Sequence, residues 1–516
     1  MSTPQVVRVA ISPVVTSTPA SYKRRVVPSA EAYASKRSLI LTTPTKRPAK
    51  QGNQLSVERF YPKNLFLRDT ANIVEEFVHG HAAPAREDEN KAAWHVRHVL
   101  LPMNLRDPGT DIFHGEARDL LYSLFPGTQN VTEPPSMSYL LFQVKELPKK
   151  PWPLTIGGRP FVIADETQQG RVTLFPRLNL GNIQISICNG RFNAQAPMTN
   201  EILRQIAAET DKYFEKNIPK LEFIELMFTS DRNFYVVVAD HADINSLRPL
   251  LPGKIAGCPA GYLRDHELHR PPWTDRKPKR PIAPQPVSGV VDRTAYDTLR
   301  PGVMISSSKL VEHGHPSELS TSSGVLVKDH HGNQFMTATS HGIGQNTTVF
   351  QTGRPERTIG KAAIDVAFTD IALVDLARDV VFENETFESN GTAPKLTRLA
   401  KSTDPVRMGH DCYLNSPYTG HLDGIIMMKS VKLEAAVSFE AQKRYIIYNW
   451  AWMGQGGTRI PDGTCGSAIW DSDGVVLGFF HFYIEQGPWA GHAASVSASE
   501  LEANESERRA GWVLAV

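Results

Sequence analysis

Apolar and polar positions follow two different rhythms along this chain, and the change falls near residue 270. In the first part Ile202, Leu203, Ile206, Ala207, Tyr213 and Phe214 recur at helical spacing behind Thr199 and Asn200, two residues suited to capping a helix. After Pro219 the run 221–228 reads as a strand, Ser230 to Asn233 as a turn, and 234–239 as the returning strand. Segments 71–80 and 89–100 read as helices. From about 290 onward the apolar runs are short and broken by Gly, Asn and Asp. There 323–341 reads as strand, turn and strand, 362–376 as one strand or a pair, and 465–484 as two strands around an Asp-Ser-Asp-Gly turn. Residues 497–509 read as a closing helix. The pattern predicts an α+β region of unknown role over 56–268 and an all-β barrel or sandwich over 290–516.

Composition sharpens these boundaries. Six prolines between 271 and 286, beside Arg276, Lys277, Lys279 and Arg280, mark an extended linker over 269–289. Beyond it, residues 287–516 are expected to fold alone. Residues 1–55 are rich in Ser, Thr, Pro, Lys and Arg with no sustained period, the texture of a disordered basic tail. Residues 1–50 hold nine of the 56 Lys/Arg and one of the 54 Asp/Glu, so the net charge of +2 hides an acidic remainder. Contact with RNA or an acidic partner, or a nuclear address, is therefore expected of the tail alone. No apolar run reaches the ~18–20 residues of a membrane helix, and the first residues lack a secretory pattern. Four cysteines in 516 residues are no disulfide framework. A cytoplasmic protein is expected, in which a thiol stays available.

Three segments of the C-terminal region carry chemistry. They are Thr337-Ala338-Thr339-Ser340-His341-Gly342, Thr369-Asp370-Ile371-Ala372-Leu373, and Asp462-Gly463-Thr464-Cys465-Gly466-Ser467. Together they offer a base, an orienting carboxylate and a nucleophile. A thiol needs a neighbouring imidazole to ionise near neutral pH. The imidazole needs a partner on its other nitrogen to fix its tautomer. Glycines beside the nucleophile let the backbone turn sharply, so that N–H groups face a developing oxyanion. Singly, Cys465 reads as a structural thiol, His341 as a strand-end histidine and Asp370 as a turn residue. Their order, and gaps of 29 and 95 residues, favour the combined reading.

With these segments, residues 290–516 resemble the chymotrypsin-like proteases in their cysteine-nucleophile form, the form that picornaviral cysteine proteases use. TATSH is similar to the T-A-A-H of that family with one extra residue, Asp370-Ile371-Ala372-Leu373 matches its D-I-A-L, and Gly463 to Ser467 matches G-x-[SC]-G-[GS]. The resemblance implies a double six-stranded β-barrel and a cysteine endopeptidase acting on polypeptides through Cys465, His341 and Asp370. Asp365 and Asp375 are weaker alternatives to Asp370, and Ser467 is a poor rival nucleophile. The resemblance also implies an oxyanion hole from the N–H groups of Gly463 and Cys465. Thr464 stands where trypsin-type zymogens keep an aspartate, so activation by a new N-terminus is not expected. Arg459 and His481 are candidates for a pocket that reads an acidic or amide P1 side chain. His481 sits one residue too late for the family's G-x-H, and strand alternation turns it to the other face unless a bulge intervenes.

No cofactor is expected, since neither a phosphate loop nor a dinucleotide fingerprint occurs in context. The histidines at 79, 81, 95 and 98, or at 313, 315, 330 and 331, lie in polar segments without a cysteine pair, so no metal site is expected. The alternative to an enzyme is a silent protease-like binding module carrying the basic tail.

Overall fold

In a computed structural model of the chain, the described residues are two short segments (9–11 and 57–59), scattered positions between 98 and 105, and most of 110–270 and 291–515. Within the last two stretches the longer gaps fall at 134–138, 388–393, 435–442, 453–459 and 503–510. Residues 271–289 of the expected linker, most of the basic tail, and the helices expected at 71–80 and 89–97 lie outside the described residues. His98–Val99, expected to end a helix, instead forms a short strand parallel to Thr155–Ile156.

The first region begins with helix α1 (Gly115–Tyr122) and a small sheet. In that sheet β1 (Thr128–Thr132) pairs with β2 (Leu140–Val144), and β2 with β3 (Arg159–Ala164). Next come β4 (Asn182–Ile187) and the expected helix α2 (Asn200–Asn217). The Thr199 hydroxyl caps α2 by accepting from the Ile202 N–H at 3.2 Å. Leu203, Ile206 and Phe214 on one α2 face are buried, each contributing about 1.5–3 kcal/mol. The expected strand pair follows as β5 (Phe223–Thr229) and β6 (Phe234–Val238), joined by a turn in which Arg232 takes a positive φ of 61°. Then come β7 (Pro252–Ile255) and β8 (Cys258–Arg264).

Past the linker the chain is nearly all β. The first half comprises β9 (Met304–Glu312), β10 (His315–Ser322), β11 (Leu326–Lys328), β12 (Gln334–Thr339), the helical turn α3 (Ser340–Ile343), β13 (Thr348–Gln351), β14 (Arg354–Val366) and β15 (Ile371–Leu376). The second comprises β16 (Asp411–Ser416), β17 (Gly420–Glu434), β18 (Lys443–Trp452), β19 (Ala468–Trp470), β20 (Val475–Tyr483) and β21 (His492–Ser497). A last strand, β22 (Val513–Leu514), returns to pair with β11. The closing helix expected over 497–509 is described only as a 3-10 turn at Ala498–Leu501.

The second half closes on itself. Its order is β17-β16-β19-β20-β21-β18, and β18 pairs back with β17, giving a six-stranded antiparallel barrel. The first half is an open curled sheet of order β10-β9-β13-β14-β15-β12-β11-β22, so a half-barrel stands where a second closed barrel was expected. The two strands β10 and β11 are joined by a bend at 323–325, where the backbone bonds pass from β9 (Ser323 N–H to the Val303 carbonyl, 2.9 Å) to β12. Gly324 N–H donates to the Thr337 carbonyl at 2.8 Å across this bend. A Cβ on Gly324 would lie 2.1 Å from the Thr337 Oγ1, so the approach requires glycine.

The linker divides the chain but not the sheet. β5 pairs antiparallel with β17, with Glu225 opposite Lys432 and Thr229 opposite Met428. The β4-β7-β8-β6-β5 layer is thereby continuous with the barrel wall. Leu203, Phe214 and Leu226 share one apolar cluster with Ile426, Tyr448 and Leu477.

Candidate active site

At the join of barrel and half-barrel, β12 ends at Thr339 and the chain turns at once into α3, which carries His341. Antiparallel pairing of β12 with β15 sets Thr339 opposite Ile371, and so brings Asp370 beside the turn. Asp370 has a positive φ of 61°, sparsely populated for any residue but glycine. Its main-chain carbonyl accepts from Ser340 N–H at 2.9 Å, and its Oδ1 from His341 N–H at 2.9 Å. His341 Nδ1 meets Oδ2 at 2.5 Å, and the Thr339 hydroxyl donates to the same oxygen at 2.6 Å. Of the three carboxylates weighed, Asp370 is the one on the His341 ring. Asp365 accepts from Ser340 Oγ, and Asp375 is exposed on β15.

A second imidazole lies at this carboxylate. His481 Nδ1 is 2.8 Å from Asp370 Oδ2, and the two histidine rings are 5.6 Å apart between centroids. Burial would raise the Asp370 carboxyl, but the charges of His341 and His481 outweigh it and hold the group well below the usual carboxylate range. The three donor atoms lie within 4.8 Å of one another, so the residues could also surround a cation. The separation of 2.5 Å is that of a hydrogen bond and that of 2.8 Å a close charge contact. Ligands on a tetrahedral zinc stand about 3.4 Å apart, given bonds of about 2.1 Å, so the group would have to open to hold one.

Cys465 follows a 3-10 turn at Asp462–Thr464 and is fully buried. Its Sγ–H donates to the His481 carbonyl at 3.0 Å, a contact that a protonated thiol makes and a thiolate does not. The loop is tied to the half-barrel through its own carbonyls. Ser322 Oγ donates to the Gly463 carbonyl at 2.9 Å, while Ser322 N–H (3.1 Å) and the Thr321 hydroxyl donate to that of Cys465. The Thr464 carbonyl accepts from Ser467 N–H at 3.1 Å, which sends the opposite end of that trans peptide, the Cys465 N–H, the other way. Gly466 has φ +85°, and a Cβ there would lie 2.7 Å from the Ser322 carbonyl oxygen and 3.1 Å from the Thr339 nitrogen. Glycine thus lets the Cys465 loop reach the strand that presents His341. Thr464 is buried with its hydroxyl 3.2 Å from Ser416 Oγ, a neutral contact. Ser467 is buried, with its carbonyl on Phe480 N–H.

The structure therefore brings His341, Asp370, His481 and the Cys465 loop to one place. Arg459 lies outside the described residues. His481, expected on a pocket wall, lies with its ring against Asp370 instead. The β20–β21 register slips between Phe480 and Phe482, and this bulge breaks the alternation that would have turned His481 away. Sequence reasoning did not find the Thr339 hydroxyl on Asp370 or the Thr321–Ser322 ties to the Cys465 loop. Those contacts join positions up to 144 residues apart.

No family model matches the chain, and no curated protein matches it. Solved structures similar to it include Thermobifida fusca Protease A, at 12% identity and TM-score 0.26, covering 39% of this chain and 91% of that one. A glutamic acid specific serine protease that uses a histidine triad in substrate binding is similar at 15% identity and TM-score 0.28, covering 39% of this chain and 95% of that one. The active form of a protease from M. tuberculosis is similar at 15% identity and TM-score 0.28, covering 45% and 94%. At these identities and scores the likenesses assign neither fold nor activity by themselves.

Proposed function

We propose that residues 290–516 form a chymotrypsin-like cysteine endopeptidase. The observation that carries the reading is the bond from His341 Nδ1 to the ionised Asp370, at the join that also receives the Cys465 loop. In this reading His341 removes the thiol proton, Cys465 attacks the scissile carbonyl, and the Gly463 and Cys465 N–H groups stabilise the oxyanion. His341 then gives the proton to the leaving amine, and water releases the acyl group from sulfur. The Asp370 charge supports the imidazolium that forms between these steps. The substrate is a polypeptide, with the basic tail as a separate contact for RNA or acidic partners.

A silent binding module is the second reading. The burial of Cys465 and its S–H bond to the His481 carbonyl favour it. Peptide hydrolysis and labelling by an electrophilic thiol probe separate the two. Cys465→Ala should lose at least about 10³-fold in turnover, and all labelling at that site, while the fold persists. Full turnover in Cys465→Ala would end the cysteine-peptidase reading. A wild-type protein that neither cleaves nor labels would leave the binding module.

A further inference from the structure

The two ends of His481 touch two different members of the site. The bulge between Phe480 and Phe482 aims its ring at Asp370, with Nδ1 2.8 Å from Oδ2. Its main-chain carbonyl accepts the Cys465 thiol at 3.0 Å. We propose that His481 is a positioning residue of the reaction, a second imidazole on Asp370 that shares the carboxylate with His341 and keeps the nucleophile loop in register with it. The inference rests on the peptidase reading above.

The crowding at one oxygen decides how His481 acts. Asp370 Oδ2 has the Thr339 hydroxyl at 2.6 Å, His341 Nδ1 at 2.5 Å and His481 Nδ1 at 2.8 Å. An oxygen with two in-plane lone pairs cannot align three donors. Thr339 and His341 make the aligned bonds, and His481 meets the oxygen as a charge contact off the line of a hydrogen bond. His481 therefore works on Asp370 through charge.

Among the described contacts, the charged and titratable groups at His481 are Asp370 and His341 from the half-barrel side and Cys465 from its own barrel, and the Phe482 ring, 5.0 Å away, is an uncharged neighbour. Protons on both imidazoles would set two cations against one carboxylate in a buried space, so each proton disfavours the other. The proton that His341 holds after Cys465 ionises is thus in competition with one on His481. The acid limb of Cys465 reactivity should then contain two coupled steps rather than one.

The test is the pH dependence of Cys465 alkylation, with kcat and KM, in wild type, His481→Gln, Asp370→Asn and the double variant. His481→Gln keeps the carbonyl and a neutral donor. It should lower kcat about 10-fold, leave KM within about 2-fold, and reduce the acid limb to one step. In the Asp370→Asn background the same substitution should add no further loss, because its effect runs through that carboxylate. An unchanged profile in folded His481→Gln overturns the proposal. So does a rise in KM at constant kcat, which would make His481 a reader of substrate, or an equal loss in the Asp370→Asn background, which would make it structural. If the variants do not fold, the wild-type profile decides, since a one-step acid limb contradicts the proposal. The parent reading fails differently, by a wild-type Cys465 that alkylates no faster than a free cysteine.

Discussion

The barrel over 411–497 has neighbours on two sides, and the two joins are built from different materials. Toward the half-barrel, an apolar cluster that joins Val327, Ile371 and Leu373 to Trp470, Val476 and Phe479 is accompanied by hydroxyls on carbonyls, two glycines at close backbone approach, and an ionised carboxylate between imidazoles. Toward the first region the contacts are a five-residue ladder between β5 and β17, one shared apolar cluster and a buried polar clamp. In that clamp Asn200 Nδ2 donates to Tyr448 OH, Ser497 Oγ and Ser499 Oγ, and Lys429 Nζ to the Met198 carbonyl. Arg204 pairs with Glu500, and Arg444 with Asp211. Among the described residues no strand ladder crosses the first join, so the two halves meet there through side chains and loops alone. The second resembles the interior of one folding unit, so it should govern stability and leave reactivity alone.

The largest effect should come from removing the second join altogether. Residues 287–516 expressed alone would expose the outer edge of β17 and its share of the apolar cluster, and are expected to aggregate. A soluble, cooperatively melting fragment would mean that the linker divides packing as well as sequence. Next is the first join. Gly466→Ala puts a Cβ 2.7 Å from the Ser322 carbonyl oxygen in a left-handed conformation. It should cost about 10²-fold in turnover by displacing the nucleophile, while Arg444 and Glu500 contacts persist. Turnover within 2-fold of wild type would show that this approach is not needed.

Smaller effects sharpen the contrast. Asn200→Ala leaves the Tyr448, Ser497 and Ser499 hydroxyls without their shared amide. A loss of about 2 kcal/mol is expected in chemical denaturation, with the Cys465 alkylation rate unchanged. A changed rate would mean that the joins communicate. Smallest is Lys429, whose burial pushes the ammonium down to about 7. The unfolded chain keeps that proton to about pH 10.4. The cost of burying this lysine is therefore full below pH 7 and is relieved as pH rises from 7 toward 10. Wild-type stability should gain at most about 1.4 kcal/mol per pH unit from this group across that window. Lys429→Met should lack that gain, and equal slopes in the two proteins would place the titration elsewhere.

The first join was largely legible in the sequence and the second was not. His341, Asp370 and Cys465 sit in short segments whose neighbours set their own turns, and it was their order, spacing and shared resemblance that singled them out together. The α2 cap and the β5–β6 hairpin were readable from local composition. Pairing of Glu225 with Lys432 joins strands about 200 residues apart, and nothing local marks it. His481 was legible only in part. Gly478-Phe479-Phe480-His481 carries one residue more than the resemblance required, and a surplus residue is what a bulge consumes. The period-of-two rule could state that condition but could not choose between the faces. Of the closing helix expected over 497–509, the described part is the 3-10 turn at Ala498–Leu501, and past the expected span the chain adds β22 to the edge of β11.

The central claim is that the imidazole of His341, held by Asp370, activates Cys465. The pH dependence of Cys465 alkylation in wild type and in His341→Ala tests it most directly. The account predicts fast alkylation in wild type that persists well below the pH at which a free thiol ionises, about 8.5, and its collapse to the slow, high-pH behaviour of an ordinary thiol in His341→Ala. The same titration in both proteins would contradict it.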